Sequence, residues 1–385
     1  MAVVAMQWTG LRPAADDPTL LSWAAAGQQA QPDWSPLYVL LLRGAYLLCG
    51  DTLDAFRVAV AVISLSGCAM VYGWILQCTA NVRLAAFAAI FYLTSGFSPA
   101  ASTTEQSHLL IVSSVAGHFA LCFVLIALIC LGRLARPTGL ALCSTFLLLA
   151  TYCRPEFLLA SGVCLLASCV VTFRTRPPGA GVAYLLMAAV IWIALASYWG
   201  LPVPSPGRGF VAFSQHAGLG FCAVYDAFCP TNLWENHAAY AAKLFPGATS
   251  ISTALMRDPL PFMEHVGRNI AISSVNLVTG VVDFAGLLNI PTMFKAAFGA
   301  AMLVWLGLIC FRTEPLRGDA QCHPKGKSDR TPLIVAAFAI APQFANWLLL
   351  YPRLHYMVVP VAVSAGLVLA RRRIVAQPAG AAAAH

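Results

Sequence analysis

Charge is what this chain lacks. Asp, Glu, Lys and Arg make up only 10% of its 385 residues, hydrophobic residues make up 59%, and mean hydropathy is +0.76. A soluble domain carries about 25% charged residues, so a water-soluble enzyme of two or three domains is excluded. Nucleotide-binding signatures are missing too. There is no GxxxxGK[ST] and no GxGxxG, which removes bound nucleotide as an energy source. The 13 cysteines include no CxxC pair and no Cys/His spacing of a zinc site. Most lie in apolar segments, where a thiol acts as a small hydrophobe. Nor is there an inverted internal repeat of the transporter kind.

What is present is a series of long apolar runs. A membrane-spanning helix needs about 20 mostly apolar residues. Nine segments qualify: 54–78, 81–98, 106–132, 138–152, 155–173, 179–200, 289–311, 332–351 and 355–371. Segment 37–49 is too short to cross and reads as a helix on the membrane surface. Segment 266–286, with Arg268, Asn269, Asn276 and Asp283, reads as interfacial or as a tenth span. The expected fold is an all-α polytopic membrane protein, a single domain over 1–385. It has about nine transmembrane helices, interfacial helices, an acidic N-terminal segment (1–53) and a long loop region (201–288).

The net charge of +8 points to membrane orientation rather than to nucleic acid. Alternate connections carry the basic residues: Arg83; Arg133 and Arg136; Arg174 and Arg176; Arg312, Arg317, Lys325, Lys327 and Arg330; Arg371 to Arg373. The positive-inside rule puts these in the cytoplasm. The remaining connections then share the extracytoplasmic face, and with them the polar residues at the membrane edge. Ionisable groups there are costly and are functional candidates by default. The same orientation requires residues 1–53 to be translocated, yet "MAVVAMQWTG" is too short for a signal peptide. A helix preceding Met1 is therefore expected.

Each candidate has a structural reading beside its functional one. Asp16 and Asp17 precede a helix, and one acid caps it or both serve chemistry. Glu105 opens the 106–132 span, where the helix macrodipole favours an acid regardless of function. His118 lies deeper and reads as a packing residue. "YCRPEFLL" puts Arg154 and Glu156 in a tight turn with Pro155 at a helix start. Arg154 is either a headgroup anchor or a phosphate ligand. "YPRLHYMVVP" puts Arg353, His355 and Tyr356 at the outer end of the last span, as an aromatic-belt segment or a phosphate site. The long loop reads as a small cap at the membrane surface, with Gln215 and His216 its most suggestive pair. Cys222 and Cys229 are its two cysteines and are candidates for a disulfide outside the cytoplasm.

The order "DDPTLLSWA…PDWSPLYVLLLRGAYLLCGDTLDAFRVAVAV" resembles the GT-C superfamily of membrane glycosyltransferases. Protein O-mannosyltransferase-like, aminoarabinose-transferase-like and arabinofuranosyltransferase-like enzymes belong to it. The matching residues are Asp16-Asp17, Pro36-Leu37-Tyr38, Gly50, Arg57, Glu105, Arg154-Pro155-Glu156, and Arg353 to Tyr356 with Pro360. Two features depart from the family. Its first transmembrane helix, ahead of the acidic loop, has no counterpart here, and neither has the soluble C-terminal domain of some branches.

The resemblance implies an inverting glycosyltransferase of the cell envelope, in a bacterial inner or cell membrane with an extracytoplasmic active site. Sugar passes from a polyprenyl-phosphate donor to a hydroxyl of a glycan, lipid or protein acceptor. Asp16 or Asp17 is the expected base. Glu105 orients the acceptor or binds a divalent cation, the one cofactor considered. Arg353, His355 and Arg154 receive the departing phosphate. Glu156, Gln215, His216 and Tyr356 contact substrate, and membrane lipids surround the carrier tail. The alternatives are a transporter or flippase of lipid-linked saccharides, and an inactive truncated member acting as a scaffold. A transporter places polar residues at mid-membrane on broken helices, whereas here they gather at one edge.

Overall fold

The computed structural model describes residues 17–30, 34–95, 115–134, 136–174, 180–203, 207–222, 236–284, 331–349 and 359–367. Every regular element among them is a helix. They are α1 (Asp17–Ala26), α2 (Pro36–Cys49), α3 (Thr52–Thr79), α4 (Val82–Ser95), α5 (Val115–Arg133), α6 (Arg136–Thr151), a 3-10 turn (Pro155–Phe157), α7 (Leu158–Arg174), α8 (Ala180–Trp199), α9 (Arg208–Cys222), α10 (His237–Leu244), α11 (Ile251–Arg257), α12 (Pro259–Phe284), α13 (Thr331–Leu349) and α14 (359–367).

Four stretches are long and apolar enough to cross a membrane: Thr52–Thr79, Val115–Arg133, Pro155–Arg174 and Gly181–Trp199. The chain is a helical membrane protein. The apolar stretches Val82–Leu93, Pro137–Thr151 and Ile334–Gln343 coincide with expected spans but are shorter. The ninefold count is thus only partly reproduced, and segment 289–311 lies outside the described residues.

Local chemistry sets the helix ends. The Asp51 side chain accepts from the backbone N–H groups of Leu53 and Asp54, which starts α3. Its 28 residues rise about 42 Å at 1.5 Å each, more than the ~30 Å hydrocarbon core requires. It stops at Ala80, which turns left-handed with φ 54° and donates to the Leu76 carbonyl. Asn81 Oδ1 then accepts from Leu84 N and starts α4.

Around α3 pack α2, α4 and α5, while α6 contacts α5, α7 and α8. Small residues let these backbones approach. Gly67 lies against the Tyr92 ring and Gly139 against the backbone of Cys130 and Leu131. Between α6 and α7, Ser144 Oγ donates to the Ser161 carbonyl at 2.9 Å and Ser161 Oγ to the Ser144 carbonyl at 2.8 Å. One core gathers Trp74, Leu121, Leu125, Leu128 and Leu147. A second joins Leu20 and Leu21 of α1 to Tyr38, Leu42, Phe56 and Ile63.

Helix directions alternate from α3 to α8. At one end, Gly132 faces Gln77, Ser168 Oγ donates to the Pro137 carbonyl, and Gly181 abuts Pro137. Arg83, Arg133 and Arg174 all belong to helix termini at this end. The opposite end holds the 34–37 corner, the 152–156 turn and the 198–200 segment. Among the described residues, the helix ends that carry Arg83, Arg133 and Arg174 and the turn that carries Arg154 thus fall at opposite ends of the helical body.

The long 201–288 region is more structured than a loop with Gly and Pro breaks. It contains α9 to α12, and Phe213, Ala217, Phe245, Ala254 and Phe262 give it a core of its own. Ser250 starts α11 with a capping box, exchanging hydrogen bonds with Thr253.

Candidate polar site at one end of the bundle

The site begins with a strained residue. Ser35 precedes α2 in the left-handed region (φ 53°, ψ 51°), sparsely populated for a residue with a side chain. Two long-range hydrogen bonds hold this corner. Ser35 Oγ donates to the Cys153 carbonyl at 2.7 Å, and Leu37 N donates to the Tyr152 carbonyl at 3.2 Å. Pro36 occupies the first turn of α2 and lacks an N–H that would otherwise be unpaired. The Ser35-Pro36-Leu37-Tyr38 segment is thereby fastened to the turn carrying Arg154-Pro155-Glu156.

More contacts gather here. Tyr152 Oη donates to the Gly200 carbonyl at 2.9 Å, and its ring lies 5.1 Å from that of Trp199. Gln29 Nε2 donates to the Tyr198 carbonyl. The Arg208 guanidinium, at the start of α9, sits 4.5 Å above the Trp34 ring, which meets Trp23 of α1 edge-on. Thus α1, the α2 corner, the α6–α7 turn, the end of α8 and the start of α9 form one polar and aromatic surface.

Within it, the Arg154 guanidinium lies 3.0 Å from Glu156 Oε1, and Asn346 Nδ2 of α13 donates to the same oxygen at 3.0 Å. Both ionised side chains are mostly buried, 20% and 15% exposed. Glu156 stands in the first turn of a helical segment, where the macrodipole favours a carboxylate. Its other oxygen, Oε2, is buried without a hydrogen-bond partner among the described residues. So is Nε2 of Gln343, one turn before Asn346 on α13, in a residue only 3% exposed. Beside the pair, burial pushes the Cys153 thiol well above its ordinary value. The buried Cys122 thiol adds to this and the Arg154 charge opposes it.

The expected site residues are brought together in one case, Arg154 with Glu156. Asp17 opens α1, and α1 packs on α2 and α3. Asp16, Glu105, Arg353, His355 and Tyr356 lie outside the described residues. Gln215 and His216 lie on α9 in the cap, with His216 buried. His118 is the packing residue expected, its Nδ1 2.9 Å from Tyr92 Oη. Cys222 is disulfide-bonded, and its Sγ lies 3.4 Å from the Tyr240 hydroxyl. Cys229 lies outside the described residues. No group of three metal-ligating side chains occurs among the described residues.

Gln343, Asn346 and Ser35 were not singled out from sequence. Gln343 and Asn346 sit three apart just after Pro342 in an apolar helix, and that spacing puts two amides on one face. Polar residues at that spacing were the available signal. The cap has a small cleft, with room for about 10 Å³, lined by Phe221, Phe245, Glu264, His265 and Arg268 among others. Arg268 is tied there to Glu264 and to the Gly220 carbonyl. His265 Nε2 meets the Leu349 carbonyl at 2.9 Å and so joins α12 to the end of α13.

No protein family model, curated protein or solved structure matches this chain.

Proposed function

We propose that the protein is an inverting glycosyltransferase that works at this polar end of the bundle. Sugar moves from a polyprenyl-phosphate carrier to an acceptor hydroxyl of a glycan, lipid or protein. The carrying observation is the union of two short motifs 118 residues apart, the Ser35–Leu37 corner and the Tyr152–Glu156 turn. Both belong to the resemblance with GT-C enzymes, and α1, beginning at Asp17, packs beside them.

The chemistry follows from what such a transfer demands. An Asp16 or Asp17 carboxylate takes the acceptor proton. The acceptor oxygen attacks the anomeric carbon, the bond from that carbon to the phosphate oxygen breaks, and the carrier phosphate leaves with the electron pair. Arg353, His355 and Arg154 stabilise the charge that develops on it. A guanidinium has five N–H donors, so the pairing of Arg154 with Glu156 is compatible with a phosphate contact. Glu105 orients the acceptor or binds a divalent cation. A bacterial inner or cell membrane with this end extracytoplasmic fits the charge alternation, and the Cys222 disulfide fits an oxidising compartment.

The test is transfer from a polyprenyl-phosphate sugar in proteoliposomes carrying the full chain. Asp16→Asn or Asp17→Asn should abolish turnover and leave carrier binding intact. Full activity in both single variants and in the double variant refutes the assigned base, and no transfer from any carrier-linked sugar refutes the activity.

A further inference from the structure

We infer that Glu156 Oε2 and Gln343 Nε2 form a recognition site for a sugar hydroxyl, with Asn346 and Arg154 as the residues that position Glu156. The ligand class rests on the proposed glycosyl transfer; the site itself rests on geometry.

A buried carboxylate oxygen without a donor and a buried amide N–H without an acceptor are both costly. Here the oxygen belongs to the 3-10 turn and the amide to α13, two elements that pack against each other. Asn346 Nδ2 reaches Glu156 Oε1 at 3.0 Å, and Gln343 precedes Asn346 by three residues on the same face of α13. Cβ atoms at that spacing are about 5–6 Å apart. The unpaired acceptor belongs to the Glu156–Asn346 contact, and the unpaired donor belongs to the residue one turn from it.

A single group satisfies both if it donates to the carboxylate and accepts from the amide. A hydroxyl does this and a phosphate does not, because it has no proton to spare for the carboxylate when fully ionised. An ammonium fits the carboxylate but repels the amide N–H. The remaining oxygen of Glu156 is already saturated by Arg154 and Asn346, so the carboxylate is fixed in direction. Arg154 and Glu156 keep some exposure at the polar end while Gln343 is buried, so the amide is the innermost of the three groups. Rejection of a ligand lacking the hydroxyl follows from the same geometry, since both buried groups are then left unpaired.

The experiment uses the full chain in lipid nanodiscs and a panel of methyl hexopyranosides and methyl arabinofuranoside, read by saturation-transfer NMR. At least one glycoside should bind, and one of its monodeoxy analogues should bind roughly 10-fold more weakly. Glu156→Gln should weaken the parent glycoside about 10-fold or more, and Gln343→Met about 3- to 10-fold. In Gln343→Met the penalty for the critical monodeoxy analogue should shrink, which a merely structural amide would not produce. This last comparison stands even if Glu156→Gln fails to fold. Absence of glycoside binding, or binding that neither variant changes, overturns the inference and leaves a buried water as the occupant. Glycoside binding lost in the variants without any transfer from carrier-linked sugars keeps the inference and removes the proposed activity. Transfer with variant-independent glycoside binding does the opposite.

Discussion

Replacing Arg154 by Met tests whether the polar turn is held by its ion pair. The substitution keeps the length and apolar stem of the side chain and removes the cation. Glu156 then keeps its hydrogen bond from Asn346, for a carboxylate whose side chain is 15% exposed. A surface ion pair contributes about 0–1 kcal/mol. Breaking a fully buried one costs about 3–5 kcal/mol, because a charge is left uncompensated. With exposures of 20% and 15%, this pair lies between the limits, and the expected loss is about 2–3 kcal/mol. Glu156→Gln should cost about 1–2 kcal/mol, since a neutral amide still accepts from Asn346. The double variant should lose less than the sum of the two, with a coupling of about 1–2 kcal/mol. Reversible unfolding in mixed micelles, followed by far-UV circular dichroism, measures all four proteins. Arg154→Met within about 0.5 kcal/mol of the parent, or single losses that simply add, refutes the view that this pair orients Glu156.

Two further perturbations probe the frame around the site. In Gly67→Ala the new methyl would stand 2.6 Å from Cε1 and Cζ of Tyr92, whose hydroxyl is bonded to buried His118. Overpacking of about 1–3 kcal/mol plus a hydrogen bond of about 1 kcal/mol should be lost, and adding Tyr92→Phe should restore part of it; parent-like stability in the same titration counts against the α3–α4 packing. Exposed Cys49 should react readily with a water-soluble maleimide, whereas buried Cys153 should stay unmodified up to its ordinary ionisation range and react only after unfolding. Mass spectrometry of labelled peptides reads the difference, and rapid modification of Cys153 in the folded protein would count against the buried turn.

Much of the membrane architecture was legible in the sequence because bilayer chemistry is coarse. An apolar run must be helical to pair its own backbone, and length and hydropathy reveal it. The runs at 54–78, 155–173 and 179–200 are matched by helices ending within a few residues of those limits. Among the described residues, Arg83, Arg133 and Arg174 stand at one end of the bundle and Arg154 at the other. Pro36, Asp51 and Pro155 mark helix starts that can be read directly from residue type. The 201–288 region was legible only as a cap. Its helices α9 and α12 are amphipathic rather than apolar all round, so hydropathy did not mark them as spans, and their shared core emerged only where Phe213, Phe245 and Phe262 met in one cluster.

The candidate site divides in the same way. Arg154 and Glu156 are two residues apart, and their pairing is a local event that the turn encodes. Asn346 lies 190 residues from Glu156, and Ser35 lies 118 from Cys153. Nothing local specifies those contacts. They form because α13 packs against the 3-10 turn and α7, and because α2 enters the bundle beside the α6–α7 turn. Sequence alone determined that the chain is a helical membrane protein with its polar residues gathered in alternate connections. Tertiary packing decided which of those residues touch and which buried oxygen and nitrogen are left unpaired. Hydropathy is a property of each segment, whereas a hydrogen bond between distant segments exists only once their helices are docked.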